Sequence, residues 1–363
     1  MIPYGRQSID DDDIAAVVAV LKGDRLTQGP YIDELEEALA ERVGARFAVA
    51  FGNGTAALHG AAAAAELGPG DVVVTSPLSF AASANCVRYV GATPRFVDID
   101  PTTLNLDPDA VPPDCAGLVA VHYAGLPMDL ATLAHRPPVV IEDAAHALGA
   151  VTPDGPVGNC AHSDMCAFSF HPVKVITTGE GGAVTTNSPE LADRLRAFRH
   201  HGIVPKPEGG GWYYEIDRVG FNYRLTDIQA ALGTSQLTKL DRFIARRQTL
   251  AAAYRERLAG LSRERSLALP PEPSKGFTHA YHLFPVRVPD RRRVYDGLND
   301  AGIRVQVHFV PIYRHPIYRD TGAAPADFPH TERAYEGLLS LPLYPDLTEV
   351  EQDRVVEVLA GLV

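Results

Sequence analysis

The sequence predicts an α/β fold, a mostly parallel central sheet flanked by helices, with a smaller C-terminal α+β region. Three observations predict it. Short apolar runs at 72–75, 118–123 and 139–142 recur between amphipathic segments, which is the alternation of βα units. They are apolar at nearly every position, as strands covered on both faces are. Finally, 363 residues exceed one small core, so we expect a large domain over 1–240 and a smaller one over 241–363.

The elements follow in order. Asp10 to Asp13 precede an apolar-periodic segment, and carboxylates at a helix N-terminus complement its macrodipole; we prefer this reading to a metal loop. Gly29-Pro30 breaks the chain before a second helix at 31–43. A strand at 47–51 then turns through Gly52-Asn53-Gly54-Thr55 into an alanine-rich helix. Such a junction is an anion site, because helix N-termini present unpaired N–H groups. It also fits G-x-G-x-x-A, but no acidic residue closes the next strand, so we keep phosphate binding and set the dinucleotide reading second. Further strands are expected near 95–98, 183–186, 282–288 and 304–309. Helices are expected through 80–89 and at 190–199, 241–261, 291–301 and 348–362. Residues 204–214, rich in proline and glycine, read as a long loop suited to a lid or subunit contact.

Net charge of −12 argues against nucleic acid or an anionic membrane as partner. No apolar run approaches a membrane span, and the N-terminus lacks the pattern of a signal peptide, so a cytoplasmic location is expected. Cys86, Cys115, Cys160 and Cys166 have no metal-ligand spacing; we read them as reduced and structural, and no metal is expected.

The chemistry gathers at 166–187, CAFSFHPVKVITTGEGGAVTTN. An apolar strand leads into Lys174, a glycine turn follows, and a second strand leads away. A lysine desolvated there would have a depressed pKa, as a Schiff-base or general-base lysine needs. Asp143 ends the 139–142 strand, where ligands of such sheets gather, and His146 follows one turn later. An amine, a carboxylate and a phosphate-shaped helix start at Gly54-Thr55-Ala56 together meet the needs of pyridoxal phosphate: Schiff base, protonated ring nitrogen and bound phosphate.

With those residues in place the chain resembles the DegT-type nucleotide-sugar aminotransferases, within the fold-type I pyridoxal-phosphate enzymes. The matching stretches are IPYGRQSI, RLTQGP, GNGTAALHGA, PLSFAASAN, FVDID, VIEDAAHALGA, FSFHPVKVITTGEGGAV, GFNYRLTDIQAALG and LPLYPDLT, nearly the whole chain. The resemblance implies that Lys174 forms the Schiff base and shuttles the proton, and that Asp143 pairs with the ring nitrogen. It implies that Phe80 stacks on the ring and His146 sits near its phenolic oxygen. Thr55, Ala56 and Ser169 would hold the phosphate, with Asn222 reaching it from the other subunit of a homodimer. L-Glutamate would be donor, giving 2-oxoglutarate, and a nucleotide-linked 4-keto-6-deoxy sugar acceptor. FSFHPVK, Trp212 to Glu215 and VHFVPIYRHPIYR are similar to the branch that aminates a UDP-linked N-acetylhexosamine of the L-altro series on the way to pseudaminic acid. Arg224, His308 and Tyr313 are candidate substrate contacts. The alternatives are a 3-keto or non-UDP sugar aminotransferase, an NAD-dependent oxidoreductase built on Gly52 and Gly54, and a non-catalytic regulator that keeps the fold.

Overall fold

The computed structural model describes residues 1–264 and 267–363. Helices α1 (Asp11–Leu21) and α2 (Pro30–Val43) open the chain. Asp10 caps α1 in a reciprocal box with Asp13, so the acidic run serves the helix start. Strands and helices then alternate through β1 (Phe47–Phe51), α3 (Gly54–Ala64), β2 (Val72–Thr75), α4 (Ala82–Tyr89), β3 (Thr93–Phe96), β4 (Gly117–Val121) and β5 (Val139–Asp143). A small turn of β6 (Val151–Thr152) and β7 (Gly155–Pro156) precedes β8 (Met165–Ser169) and β9 (Gly182–Thr186). Next come α5 (Pro189–Arg199), the hairpin of β10 (Ile203–Pro205) and β11 (Tyr214–Ile216), α6 (Asp227–Leu237) and the long α7 (Leu240–Arg263). The chain finishes with β12 (Phe284–Arg287), α8 (Arg291–Asp300), α9 (Pro329–Gly337), β13 (Leu338–Leu341) and α10 (Glu349–Ala360).

Seven strands form one sheet in the order β1-β9-β8-β5-β4-β2-β3. β9 runs antiparallel to both neighbours and the other pairs are parallel, so six strands point one way. The β2, β4 and β5 runs are buried almost throughout, as the valine-rich sequence requires. Six carboxyl ends therefore share one edge, with Asn53, Ser79, Val121, Asp143 and Ser169 at or just past it. β1, which feeds the Gly52–Gly54 turn, lies at the edge of the sheet, whereas the first strand of a dinucleotide-binding fold is central.

α6 closes over the first helices. The Asp227 carboxylate accepts the Gly29 N–H at 2.8 Å and the Tyr31 N–H at 3.2 Å, satisfying donors that α2 leaves open at its start. α7 spans two cores. Leu240, Phe243 and Ile244 pack towards the sheet, while Leu250, Tyr254 and Leu258 pack with β12, β13, α8, α10 and Ile2.

Two local expectations are corrected. Residues 304–309 form no strand and make one isolated bridge, Gln306 to Ser340. The partner of β12 is β13, buried at all four positions, whereas Arg304 and Gln306 are exposed. The Leu-Leu-Ser-Leu run, with three leucines to bury, gains more by occupying the interior. The 204–214 loop is likewise bounded by the β10–β11 ladder, which pairs Ile203 with Ile216. Among the described residues no helix is long and apolar enough to cross a membrane.

Candidate active site

The lysine stretch is an excursion from the β8–β9 hairpin. Phe170 N–H donates to the Gly181 carbonyl at 2.8 Å, and Thr178 N–H returns to the Phe170 carbonyl at 2.9 Å. Thr177 Oγ1 bonds the same carbonyl, and Val175 and Ile176 are buried, so the loop is anchored on the side away from the lysine. Lys174 is half-buried and open to a cavity of about 610 Å³. Among the described residues its amine has no ion pair or hydrogen bond. Burial pulls its pKa from 10.5 down to about 8, and the Asp143 charge draws back part of that shift.

Asp143 closes β5 and borders the same cavity. Its Oδ2 accepts from Ser83 Oγ at 2.6 Å, and its Oδ1 from the Ala145 N–H at 3.2 Å. Ser83, in the first turn of α4, and Ser79, just before that helix, have hydroxyls 2.6 Å apart, which extends a buried hydroxyl chain from the carboxylate to the cavity wall. Neither serine was singled out by the sequence, since both lie in an ordinary Ser/Ala run.

At the start of α3, Asn53 caps the helix by accepting the Ala56 N–H at 2.8 Å. That amide is therefore engaged, and the free donors lie at Gly54 and Thr55. Gly54 and Gly182 permit the close approach that shapes the cradle. A Cβ on Gly54 would sit 2.8 Å from Ser169 Cβ, and one on Gly182 would sit 2.8 Å from the Asn53 carbonyl and the Gly54 nitrogen. Thr55, Ala56 and Ser169 all border the cavity there.

The opposite wall is aromatic. Phe80, 59% exposed, lies 5.9 Å from Phe309, which stacks at 6.0 Å on His146. His308 borders the cavity, with Tyr4 packed on it at 5.4 Å and Nδ1 2.9 Å from Ser340 Oγ. Burial brings the His308 pKa down to about 4, and Lys174 adds to the shift. Tyr4 and His282 also line the cavity; both come from segments remote from the lysine, with no local pattern to mark them.

Three expected site residues lie elsewhere. Tyr313 is corrected from a substrate contact to a core residue: it is 3% exposed, packs on Phe96 and Phe328, and gives its hydroxyl to Glu332 at 2.5 Å. Arg224 does not border the cavity, and its Nη1 lies 2.7 Å from His200 Nδ1. Asn222 is exposed and bridges His200 outside that cavity.

The residues present fit pyridoxal phosphate. An unpaired amine, a hydrogen-bonded carboxylate and a glycine-lined helix start face one cavity large enough for a cofactor and part of a substrate. The model of the DegT/DnrJ/EryC1/StrS aminotransferase family matches residues 7–360. The spore coat polysaccharide biosynthesis protein SpsC of Bacillus subtilis (strain 168) is 36% identical, over 100% of this chain and 97% of its own. Helicobacter pylori PseC, an aminotransferase involved in the biosynthesis of pseudoaminic acid, superposes with a TM-score of 0.91 at 29% identity, covering 99% of this chain and 98% of that one. The PLP-form of Spr1654 from Streptococcus pneumoniae superposes with a TM-score of 0.90 at 28% identity, covering 100% and 99%.

Proposed function

The chain belongs to the DegT/DnrJ/EryC1/StrS aminotransferase family as a pyridoxal-phosphate-dependent sugar aminotransferase, and from that premise we propose its substrates. The acceptor in this reading is a nucleotide-linked 4-keto-6-deoxy sugar, foremost a UDP-linked N-acetylhexosamine, and the donor is L-glutamate. PseC, an aminotransferase of pseudoaminic acid biosynthesis, supports the choice of sugar. The observation that carries the catalytic reading is the half-buried Lys174 amine beside Asp143, at the carboxyl edge of the sheet.

Pyridoxal phosphate, when bound, supplies an aldehyde for amines and a ring that accepts electrons from a breaking C–H bond. Lys174 would hold the aldehyde carbon. With a pKa of about 8, its Nζ can take a proton from the substrate carbon and return one near neutral pH. Asp143 would hold the proton of the ring nitrogen, itself steadied by Ser83. Thr55, Ser169 and the amides at the start of α3 would hold the phosphate. Phe80 would cover the ring face and His146 its phenolic oxygen. His308 and Tyr4, which line the same cavity, would face the sugar.

The proposed active unit is a homodimer. Trp212, Tyr214, Ile216, Val219 and Phe221 are exposed around the β10–β11 hairpin, an apolar face next to Asn222. A second copy covering it would carry Asn222 and Arg224 to the neighbouring cavity. Mixing Lys174→Ala with Asn222→Ala protein tests this, since shared sites would regain part of the activity and separate sites none.

The substrate is tested by incubation with L-glutamate and a panel of UDP- and dTDP-linked 3-keto and 4-keto sugars, with products read by mass spectrometry. The UDP-linked 4-keto-6-deoxy-N-acetylhexosamine should be aminated with kcat/KM at least about tenfold above the rest, a difference of about 1.4 kcal/mol. Amination confined to dTDP sugars or to ring position three would reject this acceptor.

A further inference from the structure

His146, just after β5, and His282, just before β12, meet ring against ring beside the cavity. Their ring centroids are 4.4 Å apart with 40° between planes, and both rings border the space that holds Lys174. They are 7% and 5% exposed, and each has a buried Nδ1 with no hydrogen-bond partner. Unpaired buried nitrogens cost folding free energy, so packing alone does not account for two together.

His282 is also held from behind. Arg247 on α7 is fully buried, and its Nη1 donates to the carbonyls of Tyr281 at 3.2 Å, His282 at 3.4 Å and Leu343 at 2.9 Å. Among the described residues it meets no carboxylate. The Tyr281 N–H bonds His279 Nδ1 at 2.8 Å, and those two rings stack at 3.9 Å. A buried cation thus clamps the backbone that presents His282.

We propose that His282 is a positioning residue for the reaction: clamped by Arg247 and packed at a tilt against His146, it fixes the His146 ring and shuts water from that side of it, so that His146 meets the cofactor as a neutral hydrogen-bonding group. The inference rests on the reading of His146 as a cofactor contact. The charged and titratable groups around the pair are Lys174 and His308 across the cavity, Asp143 before His146, Tyr4 on His308, and Arg247 and His279 behind His282. Burial drives both imidazoles well below 6.5; Lys174 and His308 push both further, and Arg247 pushes His282. A neutral imidazole beside Lys174 leaves the lysine its own protonation equilibrium, and a charged one would disturb it.

The test is an NMR titration of the histidine Cε1–H signals of the full chain, with His146→Gln to assign His146, beside the pH dependence of the holoenzyme's visible absorption band. In the wild type the His146 signal should stay flat between about pH 5 and 8. In His282→Ala it should titrate with a midpoint within about one unit of 6.5, and the band should gain a step in the same range. His282→Phe, which restores an aromatic face, should return both readouts to wild type. Should the alanine variant fail to fold, His282→Asn admits water in the same way and is read identically. A His146 signal that stays flat in a folded His282 variant overturns the inference alone. A changed titration with an unchanged band also overturns it, and places the fault in the contact assigned to His146.

Discussion

Ser83 Oγ donates to Asp143 Oδ2 at 2.6 Å from a site with no solvent exposure, and Ser79 in turn supplies Ser83 at 2.6 Å. Hydrogen bonds to a buried carboxylate are worth more than neutral ones. Ser83→Ala should cost about 1–3 kcal/mol of unfolding free energy and weaken pyridoxal phosphate binding by roughly tenfold. Urea denaturation and a fluorescence titration with the cofactor measure the two effects. Ser79→Ala, one hydroxyl further from the charge, should cost less than half as much.

Lys174 is a stability cost that the site carries. The unfolded lysine keeps its proton to about pH 10.5 and the folded one only to about 8, so folding releases a proton between those values. The penalty is complete below pH 8 and is relieved as pH rises to 10.5. Cofactor-free Lys174→Met should therefore be more stable than wild type at pH 7, by roughly 2–3 kcal/mol, with no activity. Equal stability in denaturant would show the amine to be well solvated.

The buried histidines act in the acid direction. His279 is held near 3 and His308 near 4, with His146 and His282 well below 6.5, all chiefly by burial. Between those values and 6.5 the unfolded chain binds protons that the folded one does not, so stability falls with falling pH. Each histidine contributes up to about 1.4 kcal/mol per pH unit below 6.5. Urea midpoints at pH 7, 6 and 5 should fall progressively, and His308→Phe should flatten the slope.

A methyl group at Gly182 would press on the Asn53 carbonyl and the Gly54 nitrogen, which are backbone and cannot swing aside. Gly182→Ala should lose about 1–3 kcal/mol and at least tenfold in cofactor affinity, because it moves the start of α3 away from Ser169. Gly260 in α7 meets nothing within 4 Å, and Gly260→Ala should instead gain about 0.5–1 kcal/mol. Thermal melts of the two variants check the opposite signs.

Much of this site was legible because its residues sit beside strong local signals. Lys174 lies in a glycine-punctuated hairpin, Asp143 ends an apolar run, and Thr55 starts an alanine-rich helix after a Gly-Asn-Gly turn. His282 and Tyr4 carry no such mark. They reach the cavity because Ile2 bridges Ile303 and because Arg247 holds residues 281 and 282, contacts that only tertiary packing creates. Tyr313 is the converse case: nothing in its local sequence marks it as core, yet its ring completes a cluster with Phe96 and Phe328. β13 carries no strand signal of its own, because four residues, three of them leucine, are too few to distinguish strand from helix.

The reversed strand β9 has a consequence for how the chain emerges during synthesis. β1 takes its place in the sheet through β9, and α2 is fastened at its start by Asp227, both made long after their partners. At about 5–20 residues per second, the apolar Phe-Ala-Val-Ala-Phe strand waits on the order of ten seconds outside the ribosome before its neighbour exists. The nascent N-terminal half is therefore the stretch in which a trigger for aggregation, or a chaperone's grip, would fall.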